Sequence, residues 1–202
     1  MPPFEKVEYR PIPVRELLLE MKNLSELMID LAYSAALFND KELAEEVLEL
    51  EKQVDNLTYL LHIMNMVAAR DAKDAESLVG VSVVASAADK ISDAAADIAA
   101  IVTRDIGVHF LASQIFERVE KRLVRARVHE KSIIVDKTIE ELDLAPRMGI
   151  DILAILRGKN WIINPGRDEK IHVGDVLIVR GAPEGLKEFK EISEGIREKW
   201  EG

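Results

Sequence analysis

The chain has no cysteine, only two tryptophans, and aromatics at 5% of its 202 residues. Without thiols there is no disulfide framework and no thiolate metal site. Any metal would have to be held by carboxylates, histidines or carbonyls, which favours a hard cation. Scarce aromatics leave few platforms for stacked bases. Basic residues are also in short supply, 27 Lys and Arg against 37 Asp and Glu, for a formal charge of −10. That balance argues against nucleic acid as a partner, because neutralising phosphates requires concentrated positive charge. There is no run of roughly 18 apolar residues and no basic start leading into a short apolar stretch, so a soluble, cytoplasmic protein is expected. Nucleophilic catalysis lacks its parts as well: there is no activated cysteine and no serine in a G-x-S-x-G elbow. A two-carboxylate hydrolase built on Glu51 and Asp89 would need a cleft with sugar-stacking aromatics, which the helical half does not offer. We expect a protein that is not an enzyme.

What the chain does have is two halves with different periods, and its length suits two small domains. From Val14 to about Ile106 the apolar residues recur with the helical period. Leu17, Met21, Leu24, Met28, Leu31, Ala35 and Phe38 form one seam; Leu43, Val47, Leu50, Val54, Leu57, Leu61, Met64 and Ala68 form a second. Asn39 is placed to cap the second helix, with Glu42 completing a capping box. A turn this short makes the helices antiparallel. A third helix is expected from Asp74 or Ser77, with Val84, Ile91, Ala95, Ile98 and Val102 as its seam, giving a three-helix antiparallel bundle over residues 1–106.

Beyond Gly107 the stretch 107–120 reads as a connecting helix, and residues 121–202 as a small α+β domain of order β-α-β-β-β-α. "RLVRARVHE" alternates as a half-buried strand, and "TIEELDL" is a short helix with Thr138 as cap and Glu141 three residues on. "GIDILAILRG" and "KNWIINPG" make a hairpin around Gly158. "NPGRDEK" is turn chemistry. "HVGDVLIVRGA" gives a further strand, and a helix opening at Pro183 closes the chain.

Three groups of residues carry candidate chemistry. Asp89, Asp93 and Asp97 step by four along the third helix, among small neighbours Ser82, Ala85, Ser86, Ser92, Ala96 and Ala100. The second helix carries a polar line of Glu51, Asp55, Thr58, His62 and Asn65. If the two lines face each other, Glu51, Asp55, Asp89 and Asp93 make half-cages of oxygen donors suited to Mg²⁺, Mn²⁺, Ca²⁺ or iron; if not, they are a solvated acidic face. Arg122, Arg125 and Arg127 make a local basic patch, able to meet a phosphate-bearing ligand or to blunt an exposed sheet edge. The histidines (62, 109, 129 and 172) are scattered without ligand spacing.

"LELEKQVDNL" followed by "ADKISDAAADIA" resembles the PhoU family, whose three-helix repeats carry paired E/D-x-x-x-D motifs. Lys90 stands where that family usually has Arg, and Asp97 where it has Asn. The resemblance nominates Glu51, Asp55, Asp89 and Asp93 as ligands of a divalent metal or iron cluster. It also implies that the single repeat is completed by a dimer, unless the motif survives only as helix packing. The stretch from about Arg122 to Ile192 resembles the TrkA-C or RCK-C family of potassium-conductance regulators. It is carried by "K-T-I-E-E-L", "I-x-x-I-x-R-x-x-x-W-I-x-N-P" and "G-D-V-L-I-V-x-G". That resemblance implies a homodimer that docks on a membrane cation transporter or channel and senses a small ligand such as a cyclic dinucleotide; the basic patch of Arg122, Arg125 and Arg127 is the candidate to meet its phosphates. The chain would then lie peripherally at the inner face of the membrane. The accompanying Rossmann domain is not expected, since no G-x-G-x-x-G follows a strand. The two resemblances together imply a cytosolic regulator of potassium transport. The PhoU half alone implies instead a metal-binding phosphate-signalling regulator.

Overall fold

The computed structural model describes residues 11–106, 122–197 and 199. The expected connecting helix at 107–120, together with His109 and Trp200, lies outside the described residues. The chain divides into two compact units, Met1–Val108 and His109–Gly202.

The first unit is three long helices: α1 (Val14–Phe38), α2 (Lys41–Ala68) and α3 (Ala72–Thr103). Each packs against both others. The α1 seam is buried from Leu17 to Ala35, and the α2 seam from Leu43 to Leu61. Both seams loosen at one end: Phe38 is exposed at the end of α1, while Met64 and Ala68 leave the core at the end of α2. The connection differs from expectation. Asn39 takes the left-handed conformation (φ 52°) that ends α1, and Asp40 caps α2, its carboxylate accepting from the Leu43 amide at 3.1 Å. Both residue types cap well, but only Asn39 sits where the chain must reverse, and asparagine tolerates that conformation. Asp71 caps α3 through the Asp74 amide, so this helix starts two residues before Asp74.

The α3 seam is the larger correction. Its buried positions are Ala85, Ala88, Ser92, Ala95, Ala96, Ala99 and Val102; of the expected seam Ala95 and Val102 are buried, whereas Val84 and Ile91 are exposed and Ile98 only half-buried. Small residues face inward on α3, and a seam of alanine and serine lets the neighbouring backbones approach.

The second unit contains β1 (Arg122–Arg127), the one-turn helices α4 (Ile139–Leu142) and α5 (Leu144–Met148), β2 (Ile150–Arg157), β3 (Asn160–Ile163), β4 (Val176–Gly181) and α6 (Pro183–Ser193). This is the expected order with one extra helical turn, α5. The strands form one antiparallel sheet in the order β1-β4-β2-β3, with a register shift in β2 between Ile152 and Ala154. Thr138 and Glu141 form the expected capping box, and Gly158 (φ 65°) turns the β2–β3 hairpin. One sheet face supplies Ala126, Ile150, Ile155, Leu177 and Val179 to a core closed by Leu186, Phe189 and Ile192 of α6. Gly185 of α6 sits against the Met148 carbonyl, where a Cβ would collide. The closing helix is shorter than expected, ending at Ser193 before Gly195 (φ 72°).

Candidate functional site

In the first unit the two polar lines do meet. Thr58 on α2 donates its hydroxyl to Asp89 on α3 at 2.9 Å, and Asn65 donates its side-chain amide to Ser82 at 2.8 Å. Seven residues along α2 correspond to seven residues back along α3, so both bonds belong to one antiparallel register. Continuing that register toward the start of α2 brings Asp55 alongside Asp93, and Glu51 alongside Asp93 and Asp97. Electrostatics reports the same neighbours. Partial burial raises the Glu51 carboxyl above its ordinary 4.5, and the charges of Asp55, Asp93 and Asp97 raise it further. Asp55 is raised by burial, then by Asp89 and Asp93; Asp93 is raised by burial, then by Asp89 and Asp97. The small neighbours explain the closeness, since Ala85, Ser92 and Ala96 are the surface on which α3 packs.

The donors therefore have the right chemistry for a hard cation, and Glu51, Asp55, Asp89 and Asp93 lie on facing helices. Their convergence is a different matter. Among the described residues no three carboxylates or imidazoles are grouped so as to hold a metal ion, and Asp89 already accepts the Thr58 hydroxyl. The arrangement is an acidic face with mutual repulsion rather than a formed ligand cage. His62 lies on the same helix face, half-buried at the rim of a groove beside Asn65.

In the second unit the three arginines are divided by the strand pleat. Arg125 and Arg127 share one face with Leu123, while Arg122 falls on the face of Val124 and Ala126. β1 is an edge strand, paired on one side to β4. Arg122 and Arg127 are exposed and Arg125 is half-buried. The turn at 164–170 forms as expected, with the Glu169 amide donating to the Gly166 carbonyl at 3.0 Å.

Sequence reasoning missed a highly connected side chain of this unit, Arg157. The Arg157 guanidinium, at the end of β2, donates to both oxygens of Asp175 at 3.0 and 2.9 Å, to Glu169 at 2.8 Å and to the Lys170 carbonyl at 2.6 Å. Asp175 has 1% of its side chain exposed, and also accepts from the His172 amide. The Asp175 hydrogen bonds, then those of Glu169, push the arginine further up, so it stays charged. This clamp ties the loop between β3 and β4 onto the hairpin. Its sequence signal was the arginine of I-x-x-I-x-R and the aspartate of G-D-V, whose pairing becomes visible only when β2 and β4 are neighbours.

Comparison with known proteins gives two family matches: a PhoU domain over residues 18–102 and a TrkA-C domain over residues 123–193. A curated relative, the Ktr system potassium uptake protein C of Bacillus subtilis (strain 168), is 38% identical over 60 residues, 30% of this chain and 27% of the relative. The chain thus matches about a quarter of that relative's length. Among solved structures, the RCK C domain of the potassium transport protein KtrA in complex with cyclic diadenosine monophosphate is 31% identical, covering 40% of this chain and 93% of that one, with a TM-score of 0.34. The RCK_C domain dimer of S. agalactiae BusR in complex with c-di-AMP is 26% identical, covering 36% of this chain and 90% of that one, also at 0.34.

Proposed function

We propose that this chain, a PhoU domain at residues 18–102 joined to a TrkA-C domain at residues 123–193, is a cytosolic regulatory subunit of a membrane potassium uptake system. The observation that carries the reading is the second domain, matched by the TrkA-C model, together with the 60-residue likeness to a potassium uptake protein. No helix among the described residues is long and apolar enough to cross a membrane. On this reading a homodimer of this chain docks, at the inner face of the membrane, on the transporter that carries the ion pathway. The ligand class is a small phosphate compound such as a cyclic dinucleotide. Supporting this, Arg125 and Arg127 share one face of an edge strand, in a protein otherwise rich in negative charge, and paired guanidiniums suit phosphate oxygens.

The experiment is affinity purification of the tagged full chain from detergent-solubilised membranes of its own source, with rubidium uptake measured in cells lacking its gene. A cation transporter in the eluate and altered uptake are expected. An eluate without a transporter, together with unchanged uptake, would overturn the reading. For the ligand, titration with cyclic di-AMP is expected to give heat that is lost in the Arg125→Gln/Arg127→Gln double variant.

A second reading, a PhoU-type metal-binding phosphate-signalling regulator, draws support from the carboxylates that raise one another across α2 and α3. On this reading Glu51, Asp55, Asp89 and Asp93 would hold a divalent metal or iron, which would neutralise their repulsion. Elemental analysis of purified protein, with melting before and after chelation, tests it. A metal-free protein whose melting ignores chelators and added Mn²⁺ would remove it.

A further inference from the structure

The outward face of α3 is unlike that of the other two helices. From Ala72 to Val84 no residue is buried, although this stretch contains Leu78, Val79, Val81, Val83 and Val84. Val79, Val83 and Val84 are 60%, 63% and 53% exposed. At the adjoining end of α2, Met66 is 78% exposed, and an open groove of about 700 Å³ runs between the helices, lined by His62, Met66, Leu78, Val79, Val83 and Lys90. Monomeric soluble proteins rarely leave contiguous apolar patches beyond a few hundred Å². Gly80 lies in the middle of this face, and a Cβ added there would meet nothing within 4 Å. Glycine is unfavourable inside a helix, and among the described residues nothing packed at this position requires it. A missing side chain here leaves room for a surface arriving from outside.

We propose that this face docks against the same face of a second copy, the two α3 helices running antiparallel about a two-fold axis at Val83. Charge complementarity selects this occupant. In that arrangement residues equally far before and after Val83 stand opposite each other across the axis. Glu76 and Lys90 are each seven positions away, and Lys73 and Asp93 are each ten away. The axis therefore creates two Glu76–Lys90 pairs and two Lys73–Asp93 pairs, and sets no like charges opposite one another. The same rule places Val79 opposite Ala87 and Gly80 opposite Ser86, large against small, which permits close helix approach. An unrelated partner would have to reproduce this alternation of charge and size; the face supplies it for itself.

The absence of native cysteine makes the test direct. In the purified full chain, Val83→Cys is expected to form a disulfide-linked dimer under mild oxidation, while Glu45→Cys, exposed on the opening turns of α2, does not. In the Val83→Cys background Lys90→Glu should lower the yield about tenfold or more, because like charges then meet twice. Adding Glu76→Lys should restore it. Gly80→Leu, which projects into open space, should block linking while leaving the circular dichroism of the helices unchanged. Linking no faster at Val83→Cys than at Glu45→Cys, or no rescue by Glu76→Lys, overturns the proposal. The measurement uses the purified protein alone, so its failure leaves the transport reading standing and a failed transporter capture leaves this one standing.

Discussion

The two units treat charge in opposite ways. In the helical unit, carboxylates from two helices crowd one face, and Glu51, Asp55 and Asp93 are raised above their ordinary values by burial first and then by neighbouring negative charge. In the sheet unit, the deeply buried charge, Asp175, is matched by a guanidinium on both of its oxygens. The first arrangement stores repulsion that a proton or cation relieves. The second is satisfied as it stands and only loses when either partner is removed. The difference teaches where responsiveness and rigidity lie in this chain: the acidic face is poised, and the arginine clamp is fixed.

The two units also carry separate probes. Both tryptophans belong to the second unit, while most helical residues belong to the first. The strongest way to break the contrast is Asp175→Ala, which leaves the partly buried Arg157 without its main partner. A loss of about 3 kcal/mol is expected, read as a lower denaturant midpoint by tryptophan fluorescence, with the helical circular dichroism transition unmoved. Equal shifts in both signals would mean that the units do not behave separately. Next in size is Ala95→Leu, which overpacks the small-residue seam of α3; about 2 kcal/mol of destabilisation is expected, now in the helical signal. Gly80→Ala should act oppositely on that same signal, raising stability by about 1 kcal/mol, because the position is helical, exposed and open.

The smallest effect is the most diagnostic. Glu51, Asp55 and Asp93 have folded-state values above their ordinary ones, so the folded helical unit binds protons more tightly than the unfolded chain does. Their stabilising contribution is present below the ordinary values and is lost as pH rises through the raised ones. The helical unit should therefore gain melting temperature as pH falls from neutrality toward the ordinary carboxylate range. Asp93→Asn should flatten that slope and add a few tenths of a kcal/mol at neutral pH. Glu141 behaves in the reverse sense. The Thr138 amide, foremost, holds it below its ordinary 4.5, so its contribution is present above that value and is lost as pH falls through the lower one. Acidification should thus strengthen one unit while weakening the other. Parallel pH dependences in melting followed by both probes would erase the distinction.

Local features were legible in the sequence and non-local ones were not. The Thr138–Glu141 capping box, the Gly158 hairpin and the α1 and α2 seams depend on residues within a few positions of one another, and they form as read except at the helix ends, where Phe38, Met64 and Ala68 leave the core. The α3 seam was read correctly at Ala95 and Val102 and misread at Val84, Ile91 and Ile98, because hydrophobicity singles out valine and isoleucine. The inward side of this helix is decided by how close α1 and α2 must come, and that selects alanine and serine. Asn39 was misassigned because composition cannot say which of two capping residues takes the left-handed turn. The acidic residues were found by their spacing, and the register between α2 and α3 makes them neighbours; spacing could not show that Asp89 would already be engaged by Thr58. The Arg157–Asp175 clamp joins positions 18 apart in sequence, and no local pattern encodes that pairing.

The alanine and serine seam of α3 has a thermodynamic consequence. Seating this helix freezes almost no rotamers, since alanine has none to lose and serine has few, so α3 docks at a low side-chain entropy cost despite its modest apolar contact area. Its release nevertheless uncovers the leucine and methionine seams of α1 and α2 that it packs against, and hydrocarbon exposed there raises the heat capacity. Detachment of α3 should consequently show a heat-capacity change that comes chiefly from the α1 and α2 seams it uncovers, with little of it from α3's own alanines and serines.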